Sequence, residues 1–169
     1  SILVNDLSDI MVDKIKIFAD QYKKINIVTN HIEKFKRIEE GLLNENGVII
    51  TVTNNKRKSL IKSKIILNVD FPDELINKYR ICEEAIIVNI KHEVKIKNKR
   101  FNGICVNDYE IEFSENADIE YDYNKLDKYK NSHIYEAQIY KKQPINNILI
   151  KINRDKVKIT KLIANNITF

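Results

Sequence analysis

Asparagine recurs at one kind of position in the sequence, within two residues of the end of a short apolar run. Its side-chain amide both donates and accepts hydrogen bonds, so a row of such side chains could hold a small polar ligand. Thr29, Thr53 and Asp70 extend this polar set. Asparagine also favours turns and helix caps, so a purely structural role is the alternative interpretation. The asparagines that follow the six runs are Asn5, Asn30, Asn54, Asn68, Asn89 and Asn107.

The apolar runs themselves predict β-strands that are buried on both faces. They are rich in isoleucine and valine and lack the alternation expected of a sheet with one wet face. Apolar residues at helical spacing follow in residues 8–22 and 30–46, and shorter helices fit residues 55–63 and 72–79, where Pro72 suits a first helical position. Strands that alternate with helices predict parallel βαβ units. The six runs cover residues 2–4, 25–28, 48–52, 65–67, 85–88 and 104–106.

The predicted fold is therefore α/β, with a doubly wound, mostly parallel six-stranded sheet of the Rossmann-like type in the order 3-2-1-4-5-6. Residues 1–113 form this domain, and residues 114–169 are expected to be a helical C-terminal extension packed on it. Within that extension, residues 156–160 alternate like a strand while Leu162 and Ile163 suit a helix, so both assignments stay open. The carboxyl ends of parallel strands share one edge, where such folds bind ligands.

Two segments carry a resemblance to a known group of proteins. Residues 62–72 read KSKIILNVDFP, and residues 27–34 read IVTNHIEK. The first resembles the fourth strand of the nicotinamide-dinucleotide domain in the shikimate dehydrogenase, glutamyl-tRNA reductase and amino-acid dehydrogenase group, where Asn-Ala-Thr-Pro follows an apolar strand. The second is similar to the second strand of that domain and the helix entrance after it. The resemblance covers about half of the chain and implies a Rossmann-like domain with NAD or NADP as its cofactor.

The turn after the first strand departs from that group. It runs through Asn5, Asp6 and Ser8 without a glycine, whereas a glycine-rich turn brings backbone amides against the pyrophosphate. Asp6 and Asp9 would also repel a diphosphate. The acidic residue that would bind the ribose is replaced by an asparagine, Asn30. The cofactor therefore stays an open question on sequence alone.

The candidate binding residues lie in the turns after the first five predicted strands. Two functions fit them. The first is a Rossmann-like domain of a bacterial protein, non-catalytic on its own, with a ligand-binding or regulatory role. The second is the NAD(P)-binding domain of an oxidoreductase related to shikimate dehydrogenase or glutamyl-tRNA reductase, so the sequence does not decide whether the chain is an enzyme. The residues are Asn5, Asp6, Ser8, Thr29, Asn30, His31, Thr53, Asn54, Asn68, Asp70 and Asn89.

Cysteine and histidine content argues against a metal site. Cys82 and Cys105 lack paired spacing and are predicted to be reduced thiols in the core. The histidines at positions 31, 92 and 133 are scattered, and none stands at metal-ligand spacing from another ligand type. We therefore expect no metal.

Charge does not single out a nucleic-acid partner. The 29 basic residues are offset by 24 acidic residues, and the net charge of +5 is spread along the chain. The densest basic stretch, residues 91–100, alternates with Val94 and Ile96 and predicts an exposed edge strand or hairpin. It lacks the aromatic residues that stack on unpaired bases, so nucleic-acid binding is disfavoured. The expected partner is a small-molecule or nucleotide ligand.

Three features bear on the cellular setting. No apolar run reaches about 18 residues, the length of a membrane span, and the N-terminus lacks a signal peptide, so we expect a cytoplasmic protein without a membrane partner. The many isoleucines, lysines and asparagines have AT-rich codons, which suggests a bacterial source. A first residue other than methionine, Ser1, suggests an upstream domain of the same protein.

Overall fold

A computed structural model describes residues 1–6, 8, 11, 15, 22, 24–46, 48–114, 117, 131–139, 145–165, 167 and 168. The chain divides into two compact units. The first consists of Ser1–Asn107 and Ala164–Ile167, and the second of Asp108–Ile163 and Thr168–Phe169. Among the described residues, no helix has the length and apolar character that crossing a membrane requires.

The first unit is built on a parallel sheet with helices between its strands. The first six strands pair in parallel in the order β3-β2-β1-β4-β5-β6, which confirms the doubly wound α/β fold and the predicted strand order. The strands are β1 Ile2–Leu3, β2 Lys24–Val28, β3 Ile49–Thr53, β4 Ile65–Asn68, β5 Ile86–Asn89 and β6 Ile104–Glu112. The helices are α1 Ile32–Asn46, α2 Lys56–Lys62 and α3 Asp73–Asn77.

The helix predicted over residues 8–22 falls largely outside the described residues. Met11 and Ile15 within it are described, and both are helical and buried. The helices predicted over 30–46, 55–63 and 72–79 are confirmed as α1, α2 and α3 with shorter bounds. Pro72 lies at the N-cap of α3 rather than at its first helical position.

Two apolar clusters pack on opposite faces of the sheet because neighbouring side chains of a strand point to opposite sides. The first face joins the isoleucines of β1, β2 and β3 to Phe35 of α1. The second face joins β1, β4, β5 and β6 to Leu60 of α2 and Ile76 of α3. Full burial of one such side chain contributes about 1.5–3 kcal/mol, so these two clusters are the main source of stability in the unit.

The prediction that every strand is buried on both faces is wrong for β3, whose Ile49 is 58% exposed, and for β4, β5 and β6. In these last three strands, the first residues Ile65, Ile86 and Ile104 stand side by side in register and are 48%, 43% and 45% exposed. The next residue of each strand, by contrast, is buried in the second cluster. The two shorter helices, α2 and α3, contribute to that second cluster. Helix α1 packs on the opposite face, against β1, β2 and β3.

The basic stretch is not the edge strand that the alternation predicts. Residues 91–98 contain no strand, and hydrogen bonds hold their backbone beside α3. Asp73 accepts from the amide of Lys95 at 2.9 Å, and Asn77 accepts from the amide of Lys97 at 2.8 Å and donates to the carbonyl of Lys95 at 3.0 Å. Side chains of α3 thus form the hydrogen bonds to these backbone groups that a neighbouring strand would form in a sheet.

The second unit contains the last part of β6 and two helices, α4 Asn131–Ile139 and α5 Ile145–Arg154. Its core consists of Ile111, Tyr135 and Ile139, with the rings of Phe113 and Tyr135 stacked at 5.4 Å. The ambiguous C-terminal residues form strands, β7 Lys158–Ala164 and β8 Ile167–Thr168, which continue the strand order beyond β6. The extension therefore contains strands as well as helices, which differs from the predicted helical extension. The strand begins where residues 156–160 alternate in hydrophobicity.

Candidate functional site

The structure places the predicted binding residues at the carboxyl ends of the first five strands. Asn5 and Asp6 follow β1, which lies between β2 and β4 at the point where the strand order reverses. Such a switch point is where open α/β sheets bind ligands. Ser8 also follows β1, and Thr29, Asn30 and His31 follow β2. Thr53 ends β3 and Asn54 follows it, Asn68 ends β4 and Asp70 follows it, and Asn89 ends β5.

The backbone amides after β1 are held by the carboxylate of Asp70. The amide of Asn5 donates to Asp70 Oδ1 at 2.9 Å and to Oδ2 at 3.0 Å, and the amide of Asp6 donates to Oδ2 at 2.8 Å. All three residues are partly exposed. Two consecutive amides thus converge on one anion, and we call this pair the amide nest; backbone amides that converge in this way also bind phosphate. In this structure the anion that the two amides bind is the carboxylate of Asp70 from the same chain.

The side chain of Asp6 points to a lysine that the sequence reasoning did not place at the site. Lys91 Nζ lies 2.5 Å from Asp6 Oδ2, and the amide of Ser8 donates to Asp6 Oδ1 at 3.0 Å. The hydrogen bond from Lys91 and that from Ser8 lower the pKa of the Asp6 carboxyl. Asp9, the other carboxylate of this turn, lies outside the described residues.

Asn5 links the ends of β1 and β2. Its Oδ1 accepts from the amide of Asn30 at 2.8 Å and from the hydroxyl of Thr29 at 3.3 Å. The hydroxyl of Thr29 in turn accepts from the amide of His31 at 3.1 Å. Thr29 is fully buried, whereas Asn30 and His31 are exposed. The buried members therefore fix the turn, and the exposed ones face solvent.

A second lysine joins the ends of β2 and β3. Lys56 Nζ donates to Asn30 Oδ1 at 2.5 Å and lies 5.8 Å from the centre of the Phe71 ring, within cation–π range. Thr53 fixes the start of α2, because its hydroxyl accepts from the amide of Asn55 at 3.1 Å. Asn54 beside it is exposed. Only the basic cluster at residues 56–58 could have marked Lys56 from sequence.

Three asparagines form a chain of amides across β4, β5 and β6. Asn68 Nδ2 donates to Asn89 Oδ1 at 2.9 Å, and Asn89 Nδ2 donates to Asn107 Oδ1 at 2.8 Å. Asn68 also holds the turn after β4, accepting from the amide of Phe71 at 2.9 Å and donating to its carbonyl at 2.9 Å. These amides satisfy one another, as buried polar groups must.

Replacement of Asn68 by alanine is expected to lower the free energy of unfolding by about 2–4 kcal/mol. The change leaves the buried amide and carbonyl of Phe71 and the Oδ1 of Asn89 without their partner, and each such loss costs about 1–3 kcal/mol. Urea unfolding measures the difference. The matched control is Asn54→Ala, an exposed asparagine at the same edge, for which a change within about 0.5 kcal/mol is expected. Equal losses in both variants would contradict the structural role of Asn68.

Both cysteines are free, and their surroundings differ. Cys105 is buried on β6, where burial raises the pKa of its thiol. Its sulfur accepts from Asn89 Nδ2 at 3.3 Å and donates to the carbonyl of Val94 at 3.4 Å. Cys82 is half-buried. The prediction that both are reduced core thiols therefore fits Cys105 better than Cys82.

We expect a thiol reagent at pH 8 to modify Cys82 in the folded chain and to leave Cys105 unmodified until the chain unfolds. The thiolate is the reactive form, and burial both raises the pKa of Cys105 and keeps the reagent away. Mass spectrometry of peptides before and after addition of guanidinium chloride tests this. Rapid labelling of Cys105 in a folded Cys82→Ser variant would contradict it.

Comparison with known proteins adds no family. No protein-family model, no curated protein and no solved structure matches the chain. Within the described part of the chain, no three histidine, cysteine, aspartate or glutamate side chains come together as metal ligands would. What the structure defines at this edge is a set of amides and hydroxyls with two lysines and the carboxylates of Asp6 and Asp70.

Proposed function

We propose that the first unit is a Rossmann-like domain that is non-catalytic on its own and has a ligand-binding or regulatory role. Its ligand is a small polar molecule that lies at the carboxyl edge and contacts the exposed side chains of Asn30, His31 and Asn54. The proposal places the chain in the cytoplasm of a bacterium.

The observation that carries the proposal is the closure of the first turn by Asp70. A dinucleotide-binding turn needs free backbone amides for the pyrophosphate, and here the amides of Asn5 and Asp6 already donate to a carboxylate. A diphosphate would have to displace that carboxylate against charge repulsion. Ligand contacts are thereby left to side chains at the ends of β2 and β3, where Lys56 and Asn30 meet.

Thermal unfolding in the presence of nucleotides tests the proposal. We expect NAD+, NADH, NADP+ and NADPH to leave the melting temperature of the whole chain unchanged. A ligand at 100 times its Kd adds about 2.7 kcal/mol to the stability, so binding would be evident. The same measurement with adenine nucleotides, nucleosides, amino acids and sugars then identifies which class of compound raises the melting temperature. A shift that is lost in His31→Ala but kept in Lys36→Ala, an exposed position five residues further along on α1, would support the proposed edge.

The alternative function is the NAD(P)-binding domain of an oxidoreductase related to shikimate dehydrogenase or glutamyl-tRNA reductase. The strand order and the switch point beside β1 favour it, since dinucleotides bind at that place in such sheets. This function requires Asp70 to leave the amides when the cofactor enters. A melting-temperature shift with any of the four dinucleotides would support it and would overturn the first proposal.

A further inference from the structure

We propose that Asp70 determines which ligands the carboxyl edge accepts, because its carboxylate acts as an internal anion that occupies the amide nest and excludes phosphate groups. The inference deepens the proposed function and rests on it for the location of the ligand. It assigns to one residue the choice between a phosphate-bearing and a phosphate-free ligand.

The geometry of the nest is that of a bound anion. Three hydrogen bonds of 2.8–3.0 Å join one carboxylate to two consecutive amides, and the donors lie 64 and 65 residues away in sequence. Hydrogen bonds to a charged acceptor are stronger than neutral ones. Parallel pairing of β1 with β4 brings the two turns together, because Leu3 and Asn68 are in register at the strand ends. The contact is thus fixed by the sheet.

The charge balance at the nest depends on amides rather than on a cation. Among the described residues, no lysine, arginine or histidine forms an ion pair with Asp70, whereas the nearby Asp6 is paired with Lys91. Loss of the Asp70 carboxylate would therefore leave two oriented N–H dipoles without an acceptor. The partial exposure of Asn5 and Asp6 gives a solvent anion access to them.

Replacement of Asp70 by alanine tests the inference. We expect pyrophosphate to bind the variant at least about tenfold more tightly than the wild-type chain, because its oxygens gain the hydrogen bonds from the amides of Asn5 and Asp6 that Asp70 otherwise accepts, and hydrogen bonds to a charged acceptor are strong ones. Isothermal titration calorimetry with sodium pyrophosphate, at constant ionic strength set with sodium chloride, measures both Kd values. Pyrophosphate should also raise the melting temperature of the variant more than that of the wild type.

The matched control is Asp73→Ala. Asp73 is a partly exposed aspartate whose carboxylate accepts from a single backbone amide, that of Lys95, and lies 3.6 Å from Lys97 Nζ. It lacks the convergent pair of amides. We expect no gain in pyrophosphate binding from this change. An equal gain in the Asp70 and Asp73 variants would show a general charge effect and would overturn the inference.

The outcomes separate this inference from the proposed function. A folded Asp70→Ala variant that binds pyrophosphate no better than the wild type overturns the role of Asp70 and leaves the proposed function standing. A wild-type chain that binds a dinucleotide overturns the proposed function itself. If Asp70→Ala folds poorly, refolding with and without millimolar pyrophosphate decides the question. Recovery of the native circular dichroism spectrum by pyrophosphate, and not by chloride, supports the inference, and absence of that recovery overturns it.

Discussion

Substitution of alanine for Gly103 is expected to lower the free energy of unfolding by about 3 kcal/mol, the upper end of the usual cost of overpacking. A Cβ atom at this position would lie 2.1 Å from the carbonyl oxygen and 2.8 Å from the nitrogen of Ala85. Both are backbone atoms, so no side-chain rotation can relieve the clash. Gly103 immediately precedes β6, and the amide of Ile104 donates to the carbonyl of Ala85 at 3.0 Å. The added methyl group therefore pushes β6 away from β5.

Urea unfolding monitored by circular dichroism measures this effect, and Gly41→Ala is its control. Gly41 lies within α1, and a Cβ atom there meets nothing within 4 Å. Alanine is the better helix former, so this variant should be more stable than the wild type by about 0.5–1 kcal/mol. Opposite signs at the two glycines are the expected result. A Gly103→Ala variant as stable as the wild type would mean that β5 and β6 do not approach each other as described.

The strands could be predicted because each one is marked by the residue types of its own short segment. Runs of β-branched residues have few alternatives to buried strands, and helices between them leave parallel pairing as the natural connection. The basic stretch beside α3 could not be predicted in the same way. Its alternation of lysine with Val94 and Ile96 fits a strand, but its backbone partners are Asp73 and Asn77, which no local pattern reveals. A segment whose backbone is held by side chains can therefore show the same alternation of residues as a strand.

The sequence predicts where the asparagines lie in the sheet better than it predicts what they contact. The rule that asparagines follow the strands places them at one edge, yet it does not state what they bind. In the structure, Asn68 and Asn89 bind each other, and Asn5 holds the turn after β2. The bond between Asp70 and the amide of Asn5 spans 65 residues and follows only from strand register. Register depends on the folded sheet, so this contact lies beyond reasoning from local composition.

The second large effect is expected in the other unit, where Asp155→Ala should lower the free energy of unfolding by about 2–4 kcal/mol, because the buried hydroxyl of Tyr135 and the half-buried ammonium of Lys151 each lose this acceptor. Asp155 is 1% exposed and accepts a hydrogen bond of 2.8 Å from the hydroxyl of Tyr135 on α4. Its other oxygen lies 3.3 Å from Arg154 Nε, and Lys151 Nζ of α5 lies 3.6 Å from the carboxylate. The carbonyl of Asp155 also accepts from the amide of Ser114 at 2.8 Å. One residue thus joins α4 and α5 to the end of β6.

The control for this prediction is Glu112→Ala, an exposed carboxylate on β6, for which a change within about 0.5 kcal/mol is expected.

The free energy of unfolding should also depend on pH through Tyr135. Burial and the hydrogen bond to Asp155 raise the pKa of Tyr135 above its usual value of 10.0, so the folded chain keeps a proton that the unfolded chain releases. The contribution is therefore complete below about pH 10 and is lost as the pH rises further. In Tyr135→Phe this part of the pH dependence should disappear, and its persistence would show that a group other than Tyr135 causes it.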